Sequence, residues 1–173
     1  EHLSNVIGDG DIIGDSENTH LVSEIPYPIK IIDIPNIIVA ACSDGILVSN
    51  KNTSSKIKKL LPHNNKRPMF EEKRWGEYKV LDTLEEEMRS LTKRLSILPG
   101  KNISYQNHEK RHEVWTIISG VGEFVLEDKL YSIKPGDVLQ IPKGAKHAVK
   151  AITALEVIEV QLGTELIEED IVR

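Results

Sequence analysis

The chain is built from short runs of β-branched residues that glycine and proline interrupt. It contains 22 Ile and 13 Val against 16 Leu, and β-branched side chains favour strands over helices. Its 11 glycines and 8 prolines recur too often to leave room for long helices. Many short strands at close spacing are typical of a sandwich or a barrel. The sequence therefore predicts an all-β fold.

Two blocks of different character meet at a polar segment bounded by prolines, residues 62–71. The first block, residues 1–62, begins with very short apolar runs among turn residues, continues with a hairpin signal at residues 43–45, and ends in a helix candidate, residues 51–61. The second block, residues 66–173, alternates apolar runs with turns. Strands are predicted there at residues 78–81, 91–98, 112–119, 122–126, 130–133, 138–141, 147–152 and 155–162.

Composition and charge exclude several classes of protein. With 22 basic against 27 acidic residues the net charge is −5, which argues against a nucleic-acid binder, because such proteins need a basic footprint. The single cysteine, Cys42, excludes a disulfide framework and a multi-cysteine zinc cage. No apolar run reaches the ~18 residues of a membrane span, and no secretory signal is recognisable. We therefore expect a cytoplasmic protein without a nucleic-acid or membrane partner.

Two glycine-anchored segments carry the residues best suited to chemistry. The first contains Gln106 and His108 two positions apart, so that both face the same side of a strand, and Glu113 follows on the next predicted strand. The second, residues 136–147, has a Pro-x-Gly turn that leads His147 onto a third strand. A sheet folded on itself can bring these two nitrogens and two oxygens to one point. Such a ligand set suits an octahedral or near-octahedral divalent ion with open positions.

The two segments resemble the two motifs of the cupin superfamily, with Gln106 where the first ligand is more often histidine. That exchange, with Trp115 two residues after Glu113, resembles the type II phosphomannose isomerase branch. In that branch a cupin is the C-terminal part of a bifunctional mannose-1-phosphate guanylyltransferase and mannose-6-phosphate isomerase. The likeness extends along the chain, to residues 18–61, 73–82, 92–100, 155–163 and 168–173.

The resemblance implies a cupin barrel, a double-stranded β-helix or jelly roll, over residues 66–173, after a small β-rich, β-helix-like linker module over residues 1–62. It implies a metal-dependent aldose–ketose isomerase of the GDP-mannose pathway that interconverts mannose 6-phosphate and fructose 6-phosphate. The divalent ion (Zn, Mn, Co or Fe) would be held by Gln106, His108, Glu113 and His147. A homodimer and pairing with a nucleotidyltransferase domain are also implied. The glycine-rich nucleotide-binding signature of the guanylyltransferase half is absent from these residues.

Binding of a sugar phosphate requires cations. Lys93 and Leu95 are two positions apart on one predicted strand, so the Lys93 side chain is expected to lie on the apolar face of the sheet. An inward lysine is costly unless it meets a partner such as phosphate; the alternatives are a strand locally out of phase or a side chain that snorkels to the rim. Arg111 stands where the family also carries arginine and would bind phosphate or stabilise an enediolate, unless it is a surface charge. Glu109 and His112 are nearby candidates for the general base, and neither is compelling.

A second hypothesis is a non-catalytic sugar-binding or dimerisation module of a guanylyltransferase. Four departures from the family pattern favour it: Glu109, Lys110 and Val114 stand where histidines are common, and Ala151 replaces an asparagine. Retention of Arg111 and of the four candidate ligands disfavours it, because a scaffold has no need of them. A third, sugar-nucleotide epimerase hypothesis requires a His–Asp base pair that the sequence does not offer. Trp75 and Tyr78 are expected to pack the entry strand or a dimer interface rather than contact a ligand.

Overall fold

Parallel strands occupy the first part of the chain and antiparallel strands the second. The computed structural model describes residues 4–60 and 67–172, and the chain forms two separate units, residues 1–68 and 69–173. The predicted boundary segment, residues 62–71, lies partly outside the described residues, so the domain limits stay a prediction. Within the described ranges, no helix is long and apolar enough to cross a bilayer.

The first unit is a stack of short strands. They are β1 (Val6–Ile7), β2 (Gly10–Ile13), β3 (His20–Ser23), β4 (Ile29–Ile32), β5 (Ile37–Cys42) and β6 (Gly45–Asn50). β1, β3 and β5 pair in parallel, as do β2 and β4, and β6 returns antiparallel to β5 through the predicted hairpin. Parallel stacking of such short strands is the arrangement of a short β-helix. Its buried apolar cluster is small and contains Leu21, Ile31, Ile37 and Val39.

A helical segment follows β6, where the sequence predicts the helix over residues 51–61. It consists of a 3₁₀ turn, Lys51–Lys56, and a single α-helical turn, α1 (Ile57–Leu60). The Asn52 backbone N–H donates a hydrogen bond of 2.9 Å to the Asn50 side chain, which caps the segment. Residue 61 lies outside the described residues. No residue from Lys51 to Leu60 is buried, so the segment contributes nothing to the apolar cluster.

Antiparallel strands form the second unit, and they comprise two sheets. The strands are β7 (Phe70–Lys73), β8 (Gly76–Leu84), β9 (Arg89–Ile97), β10 (Asn102–Gln106), β11 (Arg111–Ser119), β12 (Gly122–Leu126), β13 (Lys129–Ile133), β14 (Val138–Ile141), β15 (His147–Ala151) and β16 (Leu155–Gly163). One sheet has the order β14-β11-β16-β9-β8-β7 and the other the order β10-β15-β12-β13. Buried side chains of both sheets, such as Leu155 and Phe124, share one core. This jelly-roll architecture confirms the predicted all-β cupin fold.

One strand, β7, was not predicted from the sequence, and β10 was predicted only as a strand that carries both Gln106 and His108, whereas it ends at Gln106. Both are rich in polar residues, Phe-Glu-Glu-Lys in β7 and Asn-Ile-Ser-Tyr-Gln in β10, so their apolar alternation is weak. The strand predicted at residues 78–81 extends over Gly76–Leu84, because β8 pairs with β9 along its length apart from a bulge. The other predicted strands of this unit agree with the structure to within about two residues.

The inner face of the six-stranded sheet changes from apolar to polar along its strands. One row of residues paired across β11, β16 and β9 is apolar, namely Ile117, Val157 and Leu95. The next row is mixed and contains Trp115, Glu159 and Lys93. The row beyond contains Glu113, Gln161 and Leu91. All nine side chains are buried, so one end of the barrel interior is apolar and the other is polar.

Candidate metal centre

The polar end of the barrel encloses a cavity of about 620 Å³, within the range of about 300–1,000 Å³ that is usual for small-ligand sites. Its charged wall residues are Lys73, Arg74, Lys93, Arg111, Glu113, Glu159 and Glu168. Its other polar and aromatic wall residues include Gln106, His108, Gln161, Trp75, Tyr78 and Trp115. Five of the six predicted site residues therefore line one cavity. The sixth, His147, is fully buried and contacts Glu113 in the cavity wall.

His108 lies in the loop after β10, and both sides of this loop are anchored. Its Nδ1 donates a hydrogen bond to the backbone carbonyl of Asp170, since a carbonyl oxygen can only accept. The Gly144 N–H donates to the His108 carbonyl at 2.7 Å, which ties the loop to the predicted Pro-x-Gly turn. Burial lowers the pKa of His108. The imidazole is therefore neutral near pH 7, with a lone pair on Nε2.

His147 is the first residue of β15 and presents its ring in the same way. Its Nδ1 donates to the Ala145 carbonyl at 3.1 Å, so Nε2 again carries the lone pair. Burial lowers the pKa of His147 to about 4. The ring packs edge-on against Trp115, with 5.8 Å between the ring centroids. Among the described residues, Nε2 has no hydrogen-bond partner although it is buried.

The Glu113 carboxylate contacts both histidine rings. On β11 its side chain is 2% exposed, with Oε1 3.2 Å from His108 Nε2 and Oε2 3.6 Å from His147 Nε2. The Trp115 Nε1–H donates to Oε2 at 3.2 Å and fixes the carboxylate plane. Burial raises the pKa of Glu113, whereas the Arg111 guanidinium opposes this shift.

These three side chains fit a divalent cation. One ligand atom from each of His108, Glu113 and His147 lies within 4.8 Å of the other two. A buried nitrogen without a partner is rare in proteins, and an ion would satisfy the lone pair of His147 Nε2. Two neutral imidazoles and a carboxylate are donors that suit divalent transition metals. The fourth predicted ligand, Gln106, is 9% exposed, lines the cavity and pairs in register with His147 at the end of β10.

Arg111 is embedded in this cluster, so the surface-charge alternative is wrong. It is 4% exposed, and its Nε donates to Glu113 Oε1 at 2.8 Å and its Nη1 to the Ile167 carbonyl at 3.0 Å. Its Nη2 lies 3.2 Å from His108 Nε2. The guanidinium thus contacts two candidate ligand atoms. An ion that coordinates His108 Nε2 would have to replace the Arg111 contact to that atom.

Lys93 points into the barrel and is 3% exposed, which excludes snorkelling to the rim. Its Nζ donates to Glu168 Oε1 at 2.6 Å and lies 4.3 Å from the centre of the Tyr78 ring. A carboxylate therefore occupies the position that the sequence analysis assigns to a phosphate. Tyr78 and Trp75 both line the cavity, whereas the sequence predicts that they pack the entry strand or a dimer interface.

Two inward residues of β16, Glu159 and Gln161, were missed from the sequence. They are 5% and 3% exposed and line the cavity. Both could have been predicted in the same way as Lys93. Residues at every second position of a strand face the same side, and Glu159 and Gln161 continue the apolar series that begins with Leu155 and Val157 on the same predicted strand.

The two general-base candidates named from the sequence, Glu109 and His112, are exposed and do not belong to the cavity wall. His112 Nδ1 instead accepts a hydrogen bond of 3.2 Å from the Lys143 N–H. Because β11 alternates inward and outward side chains, His112 faces away from its buried neighbours Arg111 and Glu113. Neither residue is in a position to exchange a proton with a molecule bound in the cavity.

The segment after β16 forms hydrogen bonds to the loop that bears His108. The Asp170 carboxylate accepts the backbone N–H groups of Glu109 and Lys110, each at 3.0 Å. Val172 and Asn107 exchange two backbone hydrogen bonds of 3.0 and 3.1 Å. Together with the Asp170 carbonyl on His108, these contacts fix the ligand-bearing loop against the end of the barrel.

An antiparallel barrel with a histidine–glutamate–histidine cluster at its polar end defines a cupin with a candidate metal centre. The model of the family described as "Mannose-6-phosphate isomerase C-terminal" matches residues 63–173. The chain belongs to this family.

Curated relatives are longer proteins. The chain is 29% identical over 182 residues to a mannose-1-phosphate guanylyltransferase of Salmonella typhimurium, a match that covers 100% of the chain and 37% of that protein. It is 30% identical over 176 residues to a mannose-1-phosphate guanylyltransferase of Salmonella montevideo, with 95% and 36% covered. The chain thus spans little more than a third of their length. A solved RmlC-like cupin from Shewanella frigidimarina has a TM-score of 0.46 and 14% identity, with 54% of this chain and 78% of that chain covered.

Proposed function

We propose that the second unit is a metal-dependent aldose–ketose isomerase that interconverts mannose 6-phosphate and fructose 6-phosphate. The observation that carries the proposal is the convergence of two imidazole lone pairs and the Glu113 carboxylate beside the buried cation Lys93. Membership of the family supports it. The cavity volume of about 620 Å³ accommodates a ligand of the size of a sugar phosphate.

The proposed role of each residue follows from its position in the site. A divalent ion held by the four predicted ligands would act as a Lewis acid on the carbonyl oxygen of the open-chain sugar. Arg111, beside His108 and Glu113, is placed to stabilise negative charge on the enediolate rather than to bind a distant phosphate. Lys93 would bind the phosphate, which would replace the Glu168 carboxylate on Nζ.

The test is turnover by the purified chain. The protein is stripped of ions, supplied in turn with Mn²⁺, Zn²⁺, Co²⁺ or Fe²⁺, and assayed for fructose 6-phosphate formation from mannose 6-phosphate. We expect ion-dependent turnover that His147→Gln abolishes and that His112→Gln leaves intact, because His112 is an exposed histidine of the same unit. A folded sample without turnover in any ion would contradict the isomerase function.

A non-catalytic sugar-binding module is the second candidate, and one contact favours it. Arg111 already satisfies His108 Nε2 and Glu113 Oε1 without an ion. Calorimetry distinguishes the two functions: the isomerase binds one ion per chain, whereas the module binds a sugar phosphate without an ion and without turnover.

We further propose that the chain acts together with a nucleotidyltransferase domain and forms a homodimer in the cytoplasm. Support for the first partner comes from the guanylyltransferase names of the longer relatives. Size-exclusion chromatography with light scattering tests the dimer, and a monomer at micromolar concentration would contradict it.

A further inference from the structure

Glu159 is a buried acid that none of the roles above uses. It lies on β16, between β11 and β9 in the six-stranded sheet, and pairs in register with Trp115 on one side and Lys93 on the other. Its side chain faces the cavity and is 5% exposed. Glu113 is its diagonal neighbour on β11, a relation that in sheets corresponds to about 7–8 Å. A molecule bound between the two carboxylates would therefore contact both.

The charges around Glu159 leave it as the unpaired acid of the cavity. Lys93 pairs with Glu168 at 2.6 Å. Arg111 pairs with Glu113 at 2.8 Å. Within residues 4–60 and 67–172, no ion pair within 4.0 Å involves Glu159, and its carboxylate accepts a hydrogen bond of 3.0 Å from the Gln161 amide. A neutral donor fixes the orientation of the group without cancelling its charge.

In the ion-free protein, this environment favours the protonated form of the Glu159 carboxyl group. Burial, followed by the negative charge of Glu113, raises the pKa of Glu159 to about 7; Lys93 and Arg111 oppose the shift, and Glu168 adds to it. A general base works best when its pKa lies close to the working pH, because it must both accept and return the proton. Burial also limits the access of water to the carried proton.

We infer that Glu159 moves the proton between C2 and C1 of the sugar, an inference that rests on the isomerase function proposed above. The Glu159 carboxylate takes the proton from C2 of the open-chain aldose, and the C–H electron pair forms the C1–C2 double bond. O1 takes up one proton to give the enediol. The Glu159 carboxylic acid then returns its proton to C1 while O2 releases one proton and becomes the ketone oxygen. No oxidant or reductant is consumed, and Glu159 ends as it began.

Gln161 is the positioning residue in this scheme. Its amide holds one carboxylate oxygen of Glu159, so the other oxygen remains available toward the cavity. We expect Gln161→Leu to lower kcat less than loss of the Glu159 carboxylate does, since the carboxylate remains but is no longer oriented.

The inference is tested by Glu159→Gln, which keeps the shape of the side chain and removes the carboxylate that would accept the proton. Glu156→Gln is the matched control, because Glu156 lies three residues earlier on the same strand and on its outer face. With mannose 6-phosphate and the activating ion, kcat should fall about 100- to 10,000-fold in Glu159→Gln. KM and ion affinity should change by less than about threefold, whereas a merely structural role would shift both. The control should match the wild type.

Three outcomes separate this inference from the function on which it rests. A wild-type chain that turns over while Glu159→Gln keeps kcat within about threefold overturns the inference alone. A wild-type chain inactive with every ion contradicts the isomerase function and removes the inference with it. If Glu159→Gln does not fold, Glu159→Asp replaces it, since the shorter side chain should lower kcat at least about tenfold in a folded protein. An unchanged kcat in that variant also overturns the inference.

Discussion

The two units of this chain stabilise their interiors in different ways. In the first, the buried residues are apolar, apart from small neutral groups such as Thr19. In the second, the barrel buries charged side chains at one end and apolar ones at the other. Across the described ranges, every buried ionisable side chain belongs to the second unit. Burial of charge is unfavourable unless charges are paired. The barrel, whose interior contains such pairs, is therefore the unit in which we propose a catalytic site.

The largest expected effect comes from Glu113→Gln, which would break the closer of the two buried ion pairs of Arg111, that with Glu113 at 2.8 Å, and leave the pair with Asp170 at 3.7 Å. Breaking a buried pair lowers the free energy of unfolding by about 3–5 kcal/mol. Loss of a ligand should also weaken ion binding by more than about 100-fold. Thermal denaturation and calorimetry measure the two effects. The control is Asp11→Asn, which removes an exposed ion pair with Lys30 in the first unit and should change neither. Equal effects in both variants would contradict the contrast between the units.

The next prediction compares the apolar cores of the two units by their effects on stability and on ion binding. Leu21 in the first unit and Leu155 in the second are both completely buried, so Leu21→Ala and Leu155→Ala should each lower the free energy of unfolding by about 2–5 kcal/mol. We expect only Leu155→Ala to weaken ion binding. Chemical denaturation followed by ion titration checks both points, and loss of ion binding in Leu21→Ala would show that the centre depends on the first unit.

A smaller effect depends on pH. Between the ordinary pKa of 4.5 and the folded value of about 7, the native state retains a proton on Glu159 that the unfolded chain loses. This contribution therefore makes the free energy of unfolding fall as pH rises through that window, by at most about 3 kcal/mol. Glu159→Gln removes the contribution. Its stability relative to wild type should rise between about pH 5 and pH 7.5, measured by urea denaturation. A constant difference, as expected for Glu156→Gln, would contradict the raised pKa.

The smallest effect is a gain of affinity. Arg111→Met frees His108 Nε2 and Glu113 Oε1 from the guanidinium, so we expect Zn²⁺ or Mn²⁺ to bind about tenfold more tightly, or about 1.4 kcal/mol. Arg94→Met is the control, because Arg94 is exposed on the outer face of β9. Isothermal titration measures both. Weaker binding in Arg111→Met would indicate that the guanidinium supports the ion rather than competing with it.

The sequence predicted the barrel because its strands alternate and its turns are marked by glycine and proline. It placed the candidate ligands because glycine-anchored segments give their spacing, and it placed Lys93 through strand parity. It did not identify Glu159, although the same parity applied, because the family likeness over residues 155–163 assigned no role to a residue of that strand. The support from Asp170 was not predictable, since a backbone carbonyl that orients a histidine 62 residues away leaves no local signal.

That distant carbonyl has a consequence for biosynthesis. The loop that bears His108 emerges from the ribosome well before Asp170, and until Asp170 follows, neither the Nδ1 proton nor the neighbouring amides of Glu109 and Lys110 have their partners. A nascent chain therefore lacks the completed centre even after all four candidate ligands have been translated. An ion bound at the proposed site would meet fully oriented ligands only after the segment that follows β16 has been translated.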